Sequence, residues 1–195
     1  MDHSFDMAMN KAAELPATVL PLLEYANRLQ PDAIIVCDRD ARPIGYAFEH
    51  AAAALDSPLD LGQTLQYRRV SKKLSRDAIA EHCEPVYARL RELDKPSILV
   101  IDDHISRQGN TANLFRAATS LAGLQRASIH WTTITGKGTA LNLKPYASPA
   151  HEAPWRDRQD ILGIDYDGTT LICEPTEKSV AFYGAIAAAA RDLAA

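Results

Sequence analysis

The chain has 195 residues, 47% of them hydrophobic and 24% charged, with a net charge of −4. That is long enough for one α/β domain with a full core, and the composition is ordinary for a globular protein. The acidic balance argues against nonspecific binding to nucleic acid or to a membrane surface. In chain order, Phe5–Leu29 reads as helix, with Pro16 and Pro21 breaking or restarting it. Ala33–Cys37 (AIIVC) is a short run of branched apolar residues, the pattern of a strand buried on both faces. It runs into Asp38-Arg39-Asp40-Ala41-Arg42-Pro43 and then a helix, Ile44–Leu55, with Pro43 suited to the first helical turn.

Ser57–Gly62 is a Pro/Asp/Gly loop. Thr64–Val70 is a strand candidate leading into the most basic cluster of the chain, Arg68, Arg69, Lys72 and Lys73. A bare charge run of this kind is more often a solvated strand end and helix start than a site. Asp77–Leu93 is a helix with Ile79, Val86, Leu90 and Leu93 at helical spacing, and His82 and Cys83 inside it read as packing residues.

The stretch Ser97–Ala112, SILVIDDHISRQGNTA, organises the rest. Ser97–Ile101 reads as a second strand buried on both faces. Asp102 and Asp103 stand at its end, a polar turn His104–Asn110 follows, and a helical pattern opens at Thr111. Ligands of open α/β sheets bind beyond the carboxyl ends of the strands. Two acids there can hold hydroxyls or a hydrated magnesium ion, and loop amides at a helix N-terminus can hold a phosphate.

Ala127–Thr135 alternates as a strand does and is ended by Gly136–Gly138. His130 and Trp131 on it read as core or sheet-face residues. Asn142–Asp160 has no clear period and closes on PWRDRQD. Ile161–Asp165 and Thr170–Cys173 read as strands around a turn at Tyr166-Asp167-Gly168, and Ser179–Leu193 as a closing Ala-rich helix. Cys37, Cys83 and Cys173 are widely spaced, so neither a zinc site nor a disulfide framework is expected. The opening MDHSFDMAMNK has neither region of a signal peptide, and Ala181–Ala190 is too short to span a bilayer. A cytoplasmic location is the expectation.

The strand, acid pair and Ser/Gly/Asn/Thr loop resemble the phosphoribosyl diphosphate signature of the type I phosphoribosyltransferases. In that family the acids hold the ribose hydroxyls and the loop wraps the 5′-phosphate. The matching residues are Asp102 and Asp103, then Ser106, Gly109, Asn110 and Thr111. Arg107 and Gln108 lengthen the loop, and His104 replaces an aliphatic residue. The resemblance implies an α/β fold, an open, mostly parallel sheet with helices on both faces in a single domain. Its core spans residues 31–140, and a small hood comes from 1–30, from 141–195 or from both.

It also implies roles. Arg39, Asp40 and Arg42 fall at the family's pyrophosphate loop, where the family has small residues instead. The alternative is a solvated loop whose Asp and Arg side chains pair with each other. Arg68 and Lys72, with their basic neighbours, fall at the family's mobile loop over the diphosphate. Lys137 falls after the strand that often lies near the base or diphosphate. Ile161-Leu162-Gly163-Ile164-Asp165-Tyr166 is similar to the Gly-x-Asp-Tyr stretch of purine phosphoribosyltransferases, so that Trp155 and Tyr166 would stack on a base. An aromatic in that position is more often core. The hood offers no obvious general base; Asp165 or Asp167 could serve as one.

Magnesium is the cofactor implied, with Asp102 and Asp103 as its ligands. The partners implied are small molecules, namely phosphoribosyl diphosphate and a nucleobase or nucleotide, with a homodimer left open. Three functions compete: an active transferase, a sensor of the same fold without turnover, and a receiver-like domain. The last needs a phosphoacceptor Asp at the end of a later strand, and Ala127–Thr135 has none.

Overall fold

The computed structural model describes residues 2–104, 110–135, 144–145, 153–167 and 170–195. In chain order the elements are α1 (His3–Thr18), α2 (Leu20–Leu29), β1 (Ala33–Asp38), α3 (Arg42–Ala54), α4 (Leu61–Thr64), β2 (Leu65–Arg69) and α5 (Arg76–Leu90). Then follow β3 (Ser97–His104), α6 (Asn110–Leu121), β4 (Ser128–Thr135), β5 (Lys144–Pro145), α7 (Gln159–Leu162), β6 (Ile164–Asp167), β7 (Thr170–Cys173) and α8 (Glu177–Arg191).

The main sheet has the order β2-β1-β3-β4-β5, and every pairing in it is parallel. β6 and β7 form a separate antiparallel pair. Every residue of β1 is buried, as are Ile98–Ile101 of β3. Each such branched side chain contributes about 1.5–3 kcal/mol over its exposed state. α1, α2, α3 and α8 pack among themselves on one side. α5 and α6 pack together on the other, where Tyr87, Phe115 and Trp131 make a chain of ring contacts. The expected α/β class, with a parallel sheet between helical layers, is what the chain adopts. Among the described residues no helix is long and apolar enough to cross a membrane.

Several boundaries differ from the sequence expectation. The first helix divides at Val19, before Pro21, while Pro16 is accommodated inside α1. β3 continues through Asp102 and Asp103 to His104, because β4 pairs with it as far as Thr135. The acids are therefore in the strand rather than after it. Ile161 and Leu162 are the end of a helical turn, not the start of a strand, because Gly163 takes φ 64° and caps that turn before β6 begins. Tyr166 and Asp167 lie within β6, and Gly168 is outside the described residues.

Local chemistry sets the helix starts. Asp2 caps α1, Ser75 caps α5, and Thr176 with Ser179 forms a capping box on α8. Arg158 and Lys178 each bridge Asp2 and Asp160, at 2.6–3.2 Å, tying the start of α1 to α7 and α8. Hydrogen bonds from Lys178 hold the Asp2 carboxyl below the usual range, and those from Arg158 do the same for Asp160.

α3 approaches the sheet at Gly45. A Cβ there would lie 2.7 Å from Val36 Cγ2 and 2.9 Å from Tyr67 Cε1. In an open helix Ala is favoured over Gly by about 1 kcal/mol, but overpacking costs about 1–3 kcal/mol. Gly45→Ala is thus expected to lower the urea midpoint despite the better helix former. A raised midpoint would show that α3 moves outward freely.

Candidate functional site

β1 connects leftward to β2, and β2 crosses back over β1 to β3, so the topology switches between β1 and β3. Crevices at such points are where open sheets bind ligands. Here a crevice of about 540 Å³ opens at the carboxyl ends of both strands, bounded also by residues 69–73 and by Arg156, Asp157, Asp165 and Tyr166. A larger cavity of about 690 Å³ lies beside Tyr25, Arg116 and His130, at the amino half of β4. That one is away from the strand carboxyl ends, and no carboxylate is among its described lining residues.

Asp102 and Asp103 both reach the crevice and are nearly buried, at 9% and 7% exposure. Strand alternation sends them to opposite faces of the sheet. Asp102 lies on the Cys37 side. Burial, and then the charge of Asp103, raise its pKa well above the usual carboxylate value. Its Oδ1 accepts the backbone N–H of Asp103 at 2.9 Å. Asp103 turns to the other side and meets Arg156, whose Nε donates to Oδ2 at 2.6 Å and whose Nη2 also reaches that oxygen.

The loop after β1 is paired internally. Arg42 grips Asp38 with two nitrogens, Nε at 2.8 Å, and Tyr166 donates to the same carboxylate at 2.7 Å. Burial opposes the Arg42 charge, but the Asp38 hydrogen bonds and charge outweigh it and raise the arginine's pKa. Tyr67 lies under the guanidinium at 4.8 Å. Arg39 lines the crevice but is shared among Asp40 at 3.3 Å, Asp157 at 2.5 Å and Asp165 at 3.5 Å. Asp40 also lines it, with a pKa raised by burial. The Asp38–Arg39 peptide is cis. The Asp and Arg side chains of this loop do pair with each other, but the loop is not simply solvated: the Asp38 side chain is 1% exposed, and Arg39 and Asp40 line the crevice. Arg42 is no crevice wall.

On β2, alternation separates neighbours. Arg69 faces the crevice and covers the Tyr166 ring at 4.8 Å. Arg68 is not a crevice wall; its charge is felt by Cys83 of α5, and its Nη2 donates to Gln66 at 2.9 Å. The candidate cation is thus Arg69 rather than Arg68. Lys72 and Lys73 line the crevice from the turn before α5, and neither makes an ion pair among the described residues.

Thr111 of α6 reaches the crevice. Ser106, Arg107, Gln108, Gly109 and Lys137 lie outside the described residues, and of Asn110 only its place at the start of α6 is described. Tyr166 is a crevice wall. Trp155 is not: it is fully buried, packs on Phe182 with ring centroids 5.7 Å apart, and donates its indole N–H to the Asp40 carbonyl at 2.9 Å. Its large apolar surface is used in the core, so it offers no face to a base.

Sequence reasoning passed over Arg156 and Asp157. Their signal was PWRDRQD, an aromatic anchor inside a run of alternating charge, whose partners Asp103 and Arg39 are distant in sequence. Among the described residues no three side chains of His, Cys, Asp or Glu gather as a metal site. No protein-family model, curated protein or solved structure matches this chain.

Proposed function

We propose that the chain binds phosphoribosyl diphosphate or a nucleotide in this crevice, within a type I phosphoribosyltransferase-like fold whose hood includes β6 and β7. On this reading it transfers ribose 5-phosphate to a nitrogenous base and releases pyrophosphate. The observation that carries the reading is a convergence. The acid pair of β3, the first turn of α6 at Thr111 and the cations Arg69, Lys72 and Lys73 border one crevice at the switch point.

Each group has a task. Asp102 and Asp103 accept hydrogen bonds from the ribose hydroxyls. The amino end of α6 attracts the 5′-phosphate through its first-turn amides and its dipole. The lysines and Arg69 face the diphosphate. The bond from C1′ to the diphosphate oxygen breaks, its electron pair leaves with pyrophosphate, and a bond from C1′ to the base nitrogen forms as that nitrogen gives up its proton to Asp165 on the crevice wall or to solvent. The acids stabilise positive charge developing on the sugar, and the cations stabilise the leaving group.

Carboxylate oxygens are the hard donors that magnesium prefers, so Asp102 or Asp103 fits as one ligand. Phosphate oxygens of the ligand and water would supply the others. Magnesium, when bound, neutralises the diphosphate.

A second reading, a sensor without turnover, is favoured by the pairing of Arg39 and Arg42 with the protein's own acids. That pairing leaves fewer cations for a leaving group.

A thermal shift with phosphoribosyl diphosphate, nucleoside monophosphates and bases, each with and without magnesium, tests both readings. Ligand at a hundred times its dissociation constant adds about 2.7 kcal/mol. The expected result is a clear upward shift in the wild type that is lost in folded Asp102→Asn/Asp103→Asn. Binding with pyrophosphate release supports the transferase, and binding without release selects the sensor. Neither binding nor release, with magnesium present, removes both.

A further inference from the structure

Arg156 is aimed by its neighbours on both sides. Trp155 is fixed in the core and to the Asp40 carbonyl. Asp157 accepts Arg39 at 2.5 Å and donates its own amide to Asp40 Oδ1 at 3.2 Å. The guanidinium between these two anchors has Nε and Nη2 converging on one oxygen of Asp103, at a carboxylate whose side chain is 11% exposed. This geometry is a cation built into the wall of the acid pair.

We propose that Arg156 sets the ligand class of that pair: it lets Asp102 and Asp103 receive neutral hydroxyl groups and keeps a free divalent cation out. A divalent ion gives up its water reluctantly and needs anionic oxygens in excess. Beside Arg156 it meets a carboxylate whose charge is already balanced, and a like charge at close range. A hydroxyl meets no such penalty. It brings its own proton to a carboxylate, which offers about four lone-pair sites. A vicinal diol therefore binds next to the arginine, while magnesium enters only with charge supplied by phosphate oxygens of the ligand. The biological use of this selection rests on the ribosyl diphosphate reading, but its test does not.

The test titrates Mn²⁺ into the full chain with no nucleotide present and reads free Mn²⁺ by electron paramagnetic resonance. Wild type and Arg156→Lys are expected to take it up weakly. Arg156→Gln and Arg156→Ala are expected to bind it about tenfold tighter or more, a change of about 1.4 kcal/mol. The gain should vanish when Asp103→Asn is added to Arg156→Gln. Unchanged affinity in the Gln and Ala variants, or a gain that survives Asp103→Asn, overturns the proposal. So does a Lys variant that behaves like Gln, because charge then is not the cause. Because Arg156→Ala leaves a nearly buried carboxylate without its cation, circular dichroism first establishes that each variant is folded, and Arg156→Gln, which keeps a donor for Asp103 at a side chain 37% exposed, carries the test if the Ala variant unfolds. Absent phosphoribosyl diphosphate binding would remove the proposed function and leave this result standing.

Discussion

Asp38→Ala is expected to lower the stability of the fold by about 3–5 kcal/mol, the cost of breaking a buried ion pair from one side. The Asp38 side chain is 1% exposed and that of Arg42 is 22% exposed. Removing the carboxylate leaves Arg42 over the Tyr67 ring without its ion-pair partner, and leaves the Tyr166 hydroxyl without its acceptor. The partial exposure of Arg42 lets water reach it, so the loss should fall toward the lower end. Urea denaturation measures it. Asp38→Asn retains a carbonyl acceptor and should cost less than Asp38→Ala. A loss below about 1 kcal/mol for the Ala variant would mean that the pair contributes no more than an exposed one.

Trp155→Ala should cost as much, about 3–5 kcal/mol, as large aromatic truncations in cores do. The indole is fully buried against Phe182, and its N–H holds the loop after β1 through the Asp40 carbonyl. Trp155→Phe separates the two contributions. It keeps most of the packing and loses one hydrogen bond, for about 1 kcal/mol. The Ala variant should also release Arg156 from its aimed position. If stability changes by less than about 1 kcal/mol in the Ala variant, against about 3–5 kcal/mol for core truncations of this kind, residues 153–158 are not anchored as described.

Much of the architecture was legible because the buried strands announce themselves. AIIVC and SILVI are runs of branched residues too short for core helices, and each precedes acids and a helix start. Their placement side by side at the switch point follows from crossover connections between parallel strands. What was not legible depended on partners distant in the chain. Nothing local in Asp38-Arg39-Asp40-Ala41-Arg42 says that Arg42 turns inward to Asp38 while Arg39 reaches Asp157 and Asp165. The same holds for Arg68 and Arg69. The charge run was plain in sequence, but which of the two faces the crevice is fixed only by the register of β2 on β1. Trp155 carried no signal to separate a stacking platform from a core anchor. Its burial is decided by α8, which supplies Phe182.

The pairing of α1 with α8 has a consequence for the order in which the molecule is made. The buried face of α1 carries Ala8, Ala12 and Leu15, and α8 is an element packed closely on it. α1 leaves the ribosome before the strands, and α8 follows only after the whole sheet has been synthesised. Through that interval the apolar stripe of α1 lacks this cover. The parallel strands likewise close contacts between distant stretches, which slows folding relative to local topologies. Between those two points the growing chain carries exposed apolar surface, the state in which nascent polypeptides depend on chaperones.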